Sequence, residues 1–391
     1  MSNEKLFSVA IVSFNQRPLI EECIDSILEQ TYPSIELIIC DDNSCDFNEK
    51  EIRDYIEKNK RKNIKNIEIF HHLRNVGTSA NCQKALELAH GQYFKLQAAD
   101  DMLINADVLE TISNYFRIES NNVLIGRAQA CTHNGQMTSD IYPPFDNFIK
   151  AQNATPHELF GLMSTQPWGA FVCAPAVFWR TSFLKKLGGF DLTYRYTEDW
   201  PLWLKICSLN EPIRYIDDIT TIYRYGGISN DQSELNQSIG RLHYAECIKM
   251  LKEVSMPVLK REYSRFAQLR CWHSIKSIEA RIVAETEWYR WSLREKVFWK
   301  FSNMPFLFIK KLFHIRWYGF SFPFKKIIKL MLFVIFLSNM NVYLYPTHRF
   351  LAVWTFIFIM LSSLLILGSC LKILTYLFRW ILDLRIRRNS Q

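Results

Sequence analysis

Three pairs of adjacent acidic residues are the part of this sequence best suited to chemistry, namely Asp41-Asp42, Asp100-Asp101 and Glu198-Asp199. The first two pairs each end a short apolar run, over 36–40 and 93–99, which is typical of a buried parallel strand. Ligands of open α/β sheets bind at the carboxyl ends of such strands, so these carboxylates are predicted to meet in one crevice. Because neighbouring carboxylates repel each other, a cation, a proton or a ligand has to relieve the repulsion. The pairs therefore predict a functional site.

Alternating strand and helix patterns over residues 6–125 supply the framework for the first two pairs. Strands are predicted near 7–14, 36–40, 67–70 and 93–97. Helices are predicted near 18–29, 49–60, 78–90 and 105–119. This alternation is typical of βαβ units, so we predict an α/β fold with a mostly parallel, Rossmann-like sheet flanked by helices.

Residues 126–235 are less regular, and we interpret them as the second half of the same domain. Their aromatic side chains are expected to shape a pocket for a ligand other than a nucleotide. The residues in question are Trp168, Phe171, Phe178, Trp179, Trp200 and Trp203. Residues 238–300 are charged and predicted to be helical.

Bulk composition limits the partners of this chain. It has 391 residues and a formal charge of +8, and its lysines and arginines crowd the last hundred residues. No basic run accompanies a nucleic-acid-binding module, so the asymmetry favours a membrane-facing end and no nucleic-acid partner. The ten cysteines include no Cys-x-x-Cys pair. Because residues 1–6 lack the apolar core of a signal peptide, we expect a reducing, cytosolic setting for the main domain.

The last part of the chain carries candidate membrane segments. Residues 350–371 contain no charge, and about 22 helical residues span about 33 Å, enough to cross a bilayer. Residues 327–345 are weaker and form either a second span or an interfacial segment. Aromatic and basic residues mix over 294–318, which favours an interfacial segment over an amphipathic helix packed on the domain.

These patterns predict three regions. They are a main domain over 1–235, a helical and partly interfacial region over 236–325, and a membrane region with a basic tail over 326–391. The membrane region is predicted to be a two-helix hairpin, because basic residues then flank both spans on one side. The positive-inside rule places that side, with the main domain, in the cytoplasm.

Seven short motifs occur over roughly the first 230 residues: SVAIVSFN at 8–15, SILEQTY at 26–32, ELIICDDNS at 36–44, NVGTSAN at 75–81, AADD at 98–101, GGFD at 188–191 and EDW at 198–200. In this order they resemble the family 2 glycosyltransferases, which have the GT-A fold. The resemblance implies transfer of a sugar from a nucleoside diphosphate donor to an acceptor hydroxyl, with inversion at the anomeric carbon.

The resemblance implies a donor site built on Asp42 and Phe14. Asp42 would accept a hydrogen bond from the base of the nucleotide, and the Phe14 ring would stack on that base. The alternative is that Asp42 only caps the following helix. Lys84 falls where the family often has an arginine, so it is assigned to the diphosphate, although an exposed helical lysine without that role is equally consistent with the pattern.

The same resemblance assigns Asp100 and Asp101 to the ribose and to a divalent cation on the diphosphate. Carboxylates and phosphate oxygens suit Mg²⁺ or Mn²⁺, which is the cofactor we expect. The chain departs from the family at two places: Ala98 stands where a first aspartate is common, and residues 223–227 replace a stretch that often carries a histidine. The metal is therefore expected to have few protein ligands.

Asp199 is the predicted catalytic base. Inverting transfer needs a carboxylate that takes the proton of the acceptor hydroxyl, and Glu198-Asp199 precedes an apolar helix in the half assigned to the acceptor. These two residues are also suited to the N-terminus of that helix because of its dipole. Pro201 fits a first-turn position, and the two roles are compatible.

Other motifs give weaker signals. No glycine-rich nucleotide-binding loop of the dehydrogenase or P-loop type is present. His71-His72 follows a predicted strand and is interpreted as part of a solvated loop rather than as a metal pair. The Gln-x-x-Arg-Trp element of processive family members is not matched at 268–272.

The leading hypothesis is a non-processive inverting transferase that moves one sugar, from a UDP-sugar, to a lipid-linked (polyprenyl) saccharide during bacterial capsule or O-antigen synthesis at the cytoplasmic membrane. Transfer onto polyprenyl phosphate itself is a close alternative, although the aromatic stretch 160–205 favours a saccharide acceptor. A catalytically inactive, membrane-anchored nucleotide-sugar-binding scaffold is the alternative from another class.

Overall fold

The computed structural model describes residues 5–166, 170–226 and 234–287. These residues belong to one compact unit that ends at Glu287. None of the helices in these ranges combines the length and the apolar character needed to cross a bilayer. The predicted segments 327–345 and 350–371, the interfacial residues 294–318 and Trp168 lie outside the described residues. The division of the chain at 235 and 325 stays a prediction.

One mixed sheet organises the described domain. Its strands are β1 (Phe7–Ser13), β2 (Ile35–Asp41), β3 (Ile64–His71), β4 (Tyr93–Ala98), β5 (Met102–Leu103), β6 (Val123–Cys131), β7 (Met137–Tyr142), β8 (Val177–Arg180) and β9 (Arg214–Arg224). They are ordered β3-β2-β1-β4-β8-β6-β9-β5, and β7 pairs with β6. The α/β, Rossmann-like architecture predicted from the sequence is confirmed.

The first four strands are parallel, and their register brings two acidic pairs to one edge. Val12 of β1 pairs with Cys40 of β2 on one side and with Ala98 of β4 on the other. The chain leaves both neighbouring strands within a residue or two of this level, at Asp41-Asp42 and at Asp100-Asp101. Convergence of these two pairs at the carboxyl edge is therefore confirmed.

Helices cover both faces of the sheet. They are α1 (Ile20–Leu28), α2 (Glu49–Asn59), α3 (Thr78–Leu88), α4 (Val108–Ile118), α5 (Phe145–Gln152), α6 (Pro156–Thr165), α7 (Thr181–Lys186), α8 (Trp200–Ser208), α9 (Glu234–Met250), α10 (Met256–Glu262) and α11 (Arg265–Glu287). Two apolar cores lie on opposite faces of β1, since Ala10 belongs to one and Val9 and Ile11 to the other. This follows from the alternation of side chains along a strand.

The second half of the sheet mixes directions. Strand β8 runs antiparallel to both β4 and β6, whereas β6 and β9 are parallel. Helix α11 contacts α6, α9 and α10. Cys247 and Cys271 of these helices share a core with Trp203 of α8. The charged helices after residue 234 are thus part of the same folded unit as the sheet.

Two of the aromatic residues expected to shape a pocket are core residues instead. Phe178 is 0% exposed and Trp179 is 3% exposed, because both lie on the short strand β8 in the middle of the sheet. The Trp179 ring stacks on the Trp203 ring with centroids 5.1 Å apart. Such a pair contributes about 0.5–1.5 kcal/mol beyond the area it buries. The pocket prediction was wrong for these two residues.

Candidate active site

Asp41 closes the turn that follows β2. Its carboxylate accepts hydrogen bonds from the amide and the hydroxyl of Ser44, at 2.7 and 2.5 Å, and lies 2.9 Å from Nδ1 of His71. The His71 ring also stacks on Phe47. His71 therefore ends β3 as a partner of Asp41, and its interpretation as part of a solvated loop was wrong.

Asp42 binds the distant loop that leads into α3. Its Oδ1 accepts the amide of Val76 at 2.6 Å, and its Oδ2 accepts the amide of Gly77 at 2.9 Å and Nδ2 of Asn75 at 2.8 Å. The following helix, α2, is capped by Asn48, so the capping alternative for Asp42 was wrong. Burial raises the pKa of Asp42, and the two amides oppose that rise. Recognition of a base by Asp42 stays a prediction.

Gly77 allows this loop to approach its neighbours closely. It has φ +95°, and a Cβ atom there would lie 2.3 Å from Cγ of Arg195. Because both the backbone conformation and the space exclude a side chain, Gly77→Ala is expected to destabilise the protein by about 1–3 kcal/mol. Chemical denaturation measures the effect.

The control for this change is Gly240→Ala on α9, where a Cβ meets nothing within 4 Å. In a helix interior that substitution is expected to stabilise by up to about 1 kcal/mol. Equal effects of the two substitutions would contradict the packing seen at Gly77.

Arg195 is a cation beside the Asp42 loop that the sequence did not single out. Its guanidinium donates to the carbonyl and to Oδ1 of Asn75, at 2.9 and 2.5 Å, and to the hydroxyl of Tyr196 at 3.0 Å. Its carbonyl accepts the amide of Ser79 at 3.1 Å. Its charge also lowers the pKa of Asp42, against the larger effect of burial. Arg195 therefore joins the segment before Glu198-Asp199 to the loop that Asp42 holds.

The other predicted donor residues lie at the same end of the sheet. Lys84 is on α3, with Nζ 4.5 Å from the centroid of the Phe70 ring and 4.0 Å from the Glu87 carboxylate. Phe14 is partly exposed just after β1 and precedes Asn15, which has φ +54°. Both positions are compatible with their predicted roles, which stay predictions.

Asp100 and Asp101 are held against a buried arginine of β9. Oδ1 of Asp101 accepts the amide of Arg224 at 2.9 Å, and the carbonyl of Asp100 accepts Nε of the same residue at 3.1 Å. The guanidinium also donates to Glu22 and to the carbonyl of His133. The segment 223–227, which departs from the family pattern, thus places the positive charge of Arg224 at the second acidic pair.

The environment of this pair disfavours two full negative charges. Burial raises the pKa of both carboxyls, and the Asp100 carboxylate raises that of Asp101 further. The positive charges of Arg224 and of the buried Lys95 oppose the rise at Asp101. A cation bound between the two carboxylates would relieve the remaining repulsion.

The second pair fits a divalent metal that takes most of its ligands from elsewhere. No group of three or more histidine, cysteine or acidic side chains able to hold a metal occurs within the described ranges. Two adjacent buried carboxylates supply hard oxygen ligands, and Mg²⁺ or Mn²⁺ ordinarily completes its shell with water and phosphate oxygens. Asp100 and Asp101 are the residues that would hold it.

Asp199 lies in a cavity of about 170 Å³ at the start of α8. Its Oδ2 accepts Nε1 of Trp203 at 3.3 Å, and it occupies the N-cap position without a side-chain capping bond. The side chains that line the cavity with it include Phe171, Thr197, Trp200, Trp203 and His243. The carboxylate is therefore available at a partly aromatic cavity, as a base for a carbohydrate hydroxyl requires.

The neighbour of Asp199, Glu198, has a carboxyl group with a raised pKa. Burial raises the pKa of Glu198, and the adjacent Asp199 carboxylate and then Glu246 raise it further. The protonated form of Glu198 is therefore favoured beside Asp199. The role of Asp199 as the base stays a prediction.

Two buried cysteines lie near members of the acidic pairs. Burial raises the pKa of Cys82, and the carboxylates of Glu198-Asp199 and Asp42 add to that rise. Burial likewise raises the pKa of Cys173 to about 12, with a contribution from Asp101 and a smaller one from Asp199. Each thiol is thus influenced by the third pair and by one of the others. A single site that joins all three pairs stays a prediction.

Comparison with known proteins gives the family of the domain that carries the first two acidic pairs. The model of the family "Glycosyl transferase family 2" matches residues 8–184. WfaP of Escherichia coli, a UDP-Glc:alpha-D-GlcNAc-diphosphoundecaprenol beta-1,3-glucosyltransferase, is 28% identical over 60% of this chain and 87% of its own length. A PGL/p-HBAD biosynthesis glycosyltransferase of Mycobacterium bovis is 24% identical over 58% of this chain and 79% of its own.

A solved structure, S. aureus TarS 1-349 in complex with UDP, has 17% identity and a TM-score of 0.45, covering 71% of this chain and 81% of its own. A likeness at that level adds nothing to the fold described above. The family match, with two relatives that are glycosyltransferases, covers the strands that bear Asp42 and Asp101. Residues 8–184 are therefore a glycosyl transferase family 2 domain, and the chain that carries them is a glycosyltransferase.

Proposed function

We propose that the protein transfers one sugar from a UDP-sugar to a lipid-linked saccharide, with inversion, during the synthesis of a bacterial surface polysaccharide. The observation that carries the proposal is the cavity lined by Asp199, Trp200 and Trp203, which neither Asp42 nor Asp101 lines. It provides an acceptor side with a carboxylate and aromatic faces. Similarity to WfaP, whose name specifies a diphosphoundecaprenol-linked acceptor, supports the lipid-linked class.

In this proposal, different residues bind the donor and activate the acceptor. The Asp42 loop and Arg195 hold the nucleoside diphosphate, and Asp199 accepts the proton of the acceptor hydroxyl as that oxygen attacks the anomeric carbon. The bond to the departing diphosphate breaks on the opposite face, which gives inversion. Asp100 and Asp101 would hold Mg²⁺ or Mn²⁺, which would supply positive charge to stabilise the departing diphosphate.

The location we propose is the cytoplasmic face of the cell membrane. The uncharged segment 350–371 and its basic flanks support this location. An enzyme confined to the surface of the bilayer meets a lipid-linked acceptor at a high effective concentration.

The test of the proposal is a transfer assay on the full chain. Detergent-solubilised protein is incubated with radiolabelled UDP-sugars and with polyprenyl diphosphate bearing one sugar, and the lipid products are separated by thin-layer chromatography. We expect the label in a lipid with one additional sugar. Label on added polyprenyl phosphate instead would favour the polyprenyl-phosphate transferase.

A nucleotide-sugar-binding scaffold without activity is the second candidate, and the replacement of a family histidine by the segment around Arg224 favours it. That candidate predicts binding of UDP in calorimetry with no transfer to any lipid acceptor. The Asp199 carboxylate in the cavity opposes it, because a binding protein needs no base there.

Arg195→Ala is expected to weaken donor binding by about 10–100-fold, because a charge-assisted hydrogen bond contributes about 1.5–3 kcal/mol. Arg195→Lys should be intermediate, since an ammonium keeps the charge but loses the planar fork. The KM for the UDP-sugar and the affinity for UDP measure the effect. The control is Arg53→Ala on α2, an exposed arginine paired with Glu49. Unchanged donor affinity in Arg195→Ala would limit this residue to a structural role.

A further inference from the structure

We propose that Glu246, on helix α9, is a positioning residue that holds the segment carrying the base. The proposal rests on the assignment of Asp199 made above. One carboxylate oxygen of Glu246 accepts the amide of Arg195 at 2.6 Å. The other accepts the amide of Tyr196 at 2.9 Å and the hydroxyl of Thr197 at 3.0 Å. Three successive residues before Glu198-Asp199 are thus bound by one side chain.

This segment has no regular structure of its own to fix it. Helix α7 ends at Lys186 and α8 begins at Trp200, and the residues between them form turns. A backbone amide outside a helix or strand needs another acceptor. Glu246 supplies a charged acceptor to two consecutive amides, and hydrogen bonds of that kind are shorter and stronger than neutral ones.

The third donor extends the contact to the cavity. Oγ1 of Thr197 lies 2.9 Å from Nδ1 of His243, which is on the same helix one turn before Glu246. Thr197 and His243 both line the cavity with Asp199. Because the Thr197 hydroxyl donates to Glu246, its lone pairs are free to accept a hydrogen bond from Nδ1–H of His243. The wall of the cavity next to the base is therefore fixed from α9.

Arg195 connects the segment that Glu246 holds to the Asp42 loop on the donor side. Glu246 binds its amide, the Ser79 amide donates to its carbonyl, and its guanidinium binds Asn75. One residue of the segment is thus held from α9, from α3 and from the Asp42 loop. A shift of this segment would move the base relative to the donor, and a misplacement of about 1 Å can cost about 10²-fold in rate.

The contact comes from a part of the chain beyond the family match. The match ends at residue 184, whereas α9 spans Glu234–Met250. The helices after the sheet therefore extend the core and also contact the segment that carries Asp199. Helix α9 supplies the partner that sets the geometry between the two substrates.

Glu246→Gln tests the inference, since the glutamine keeps the size but presents an NH₂ group to one of the amides. We expect kcat for transfer to fall by about 10–100-fold, while the KM for the UDP-sugar changes by less than about threefold and UDP still binds. The matched control is Glu253→Gln, an exposed glutamate just after α9, which should leave both parameters unchanged.

A double-mutant cycle separates positioning from a general structural role. If Glu246 acts through Asp199, then adding Glu246→Gln to Asp199→Asn should lower the residual rate by less than about twofold. An equal loss in both backgrounds, or a wild-type kcat in Glu246→Gln alone, would overturn the inference. Absence of transfer by the unmodified protein would instead count against the proposed function.

Should Glu246→Gln fail to fold, as shown by loss of cooperative unfolding, Thr197→Val carries the same test. It removes one of the three donors and leaves the carboxylate in place. A fall of about 3–10-fold in kcat at unchanged donor KM is expected, which corresponds to about 0.7–1.4 kcal/mol, within the usual contribution of one hydrogen bond. An unchanged kcat would contradict the inference.

Discussion

Asp199→Asn is expected to lower the rate of sugar transfer by about 10²–10⁴-fold while donor binding is retained. The amide has the size of the carboxylate and its oxygen can still accept Nε1 of Trp203, so the start of α8 is preserved. It has no basic site for the acceptor proton. Steady-state transfer and calorimetric binding of UDP measure the two quantities.

The comparison variant for this prediction is Glu198→Gln. Since burial and the neighbouring carboxylate already favour the protonated form of Glu198, a neutral amide there should cost less than about tenfold. If Asp199→Asn retained transfer and Glu198→Gln lost it, Glu198 rather than Asp199 would be the base. A loss of UDP binding in Asp199→Asn would show that the residue serves the donor side.

Short-range signals predicted the carboxyl edge of the sheet well. The apolar run before Asp41 is a strand with both faces buried, as is typical of a parallel strand. Strand β4 is also largely buried, although Lys95 and Gln97 alternate with apolar residues along it. Parallel strands end at the same edge of a sheet, so the convergence of the first two acidic pairs was predictable without knowledge of their partners. The level at which they meet, next to Val12, came from the structure.

Long-range partners were not predictable in the same way. The donors to Asp42 come from a loop 33 to 35 residues away, and the Arg195 amide reaches an acid 51 residues away on α9. Nothing in the composition of either segment marks the other. A glycine with φ +95° was the one local sign of close approach, since Gly77 has no room for a side chain.

Aromatic residues were ambiguous for a related reason. Phe171, Trp179 and Trp203 are each 3% exposed and share one core, yet only Phe171 and Trp203 also line the cavity. Whether an aromatic side chain packs or binds depends on the strand opposite, and β8 pairs with strands that are distant in sequence. Sequence alone could assign the chemistry of the rings but not their neighbours.

Asp101→Asn is expected to lower the transfer activity and to raise the thermal stability of the metal-free protein. Burial and the Asp100 carboxylate raise the pKa of Asp101 well above the usual value, so its negative charge is unfavourable in the folded protein at neutral pH. The amide removes that charge and can still accept the Arg224 amide. The thermal unfolding temperature without metal should therefore rise. Transfer should fall by at least about 100-fold, because charge stabilisation by a metal is worth several kcal/mol.

The reason for the opposite signs is that the repulsion between the two carboxylates is what a divalent cation relieves. Addition of Mn²⁺ with UDP should raise the unfolding temperature of the unmodified protein and have little effect on Asp101→Asn. Asp54→Asn, an exposed aspartate on α2, serves as the control and should match the unmodified protein in both measurements. If Asp101→Asn retained both the Mn²⁺-dependent stabilisation and the transfer activity, this pair would not be the metal site. The positive charge of Arg224 would then be the one that faces the departing diphosphate, and transfer should be insensitive to chelators.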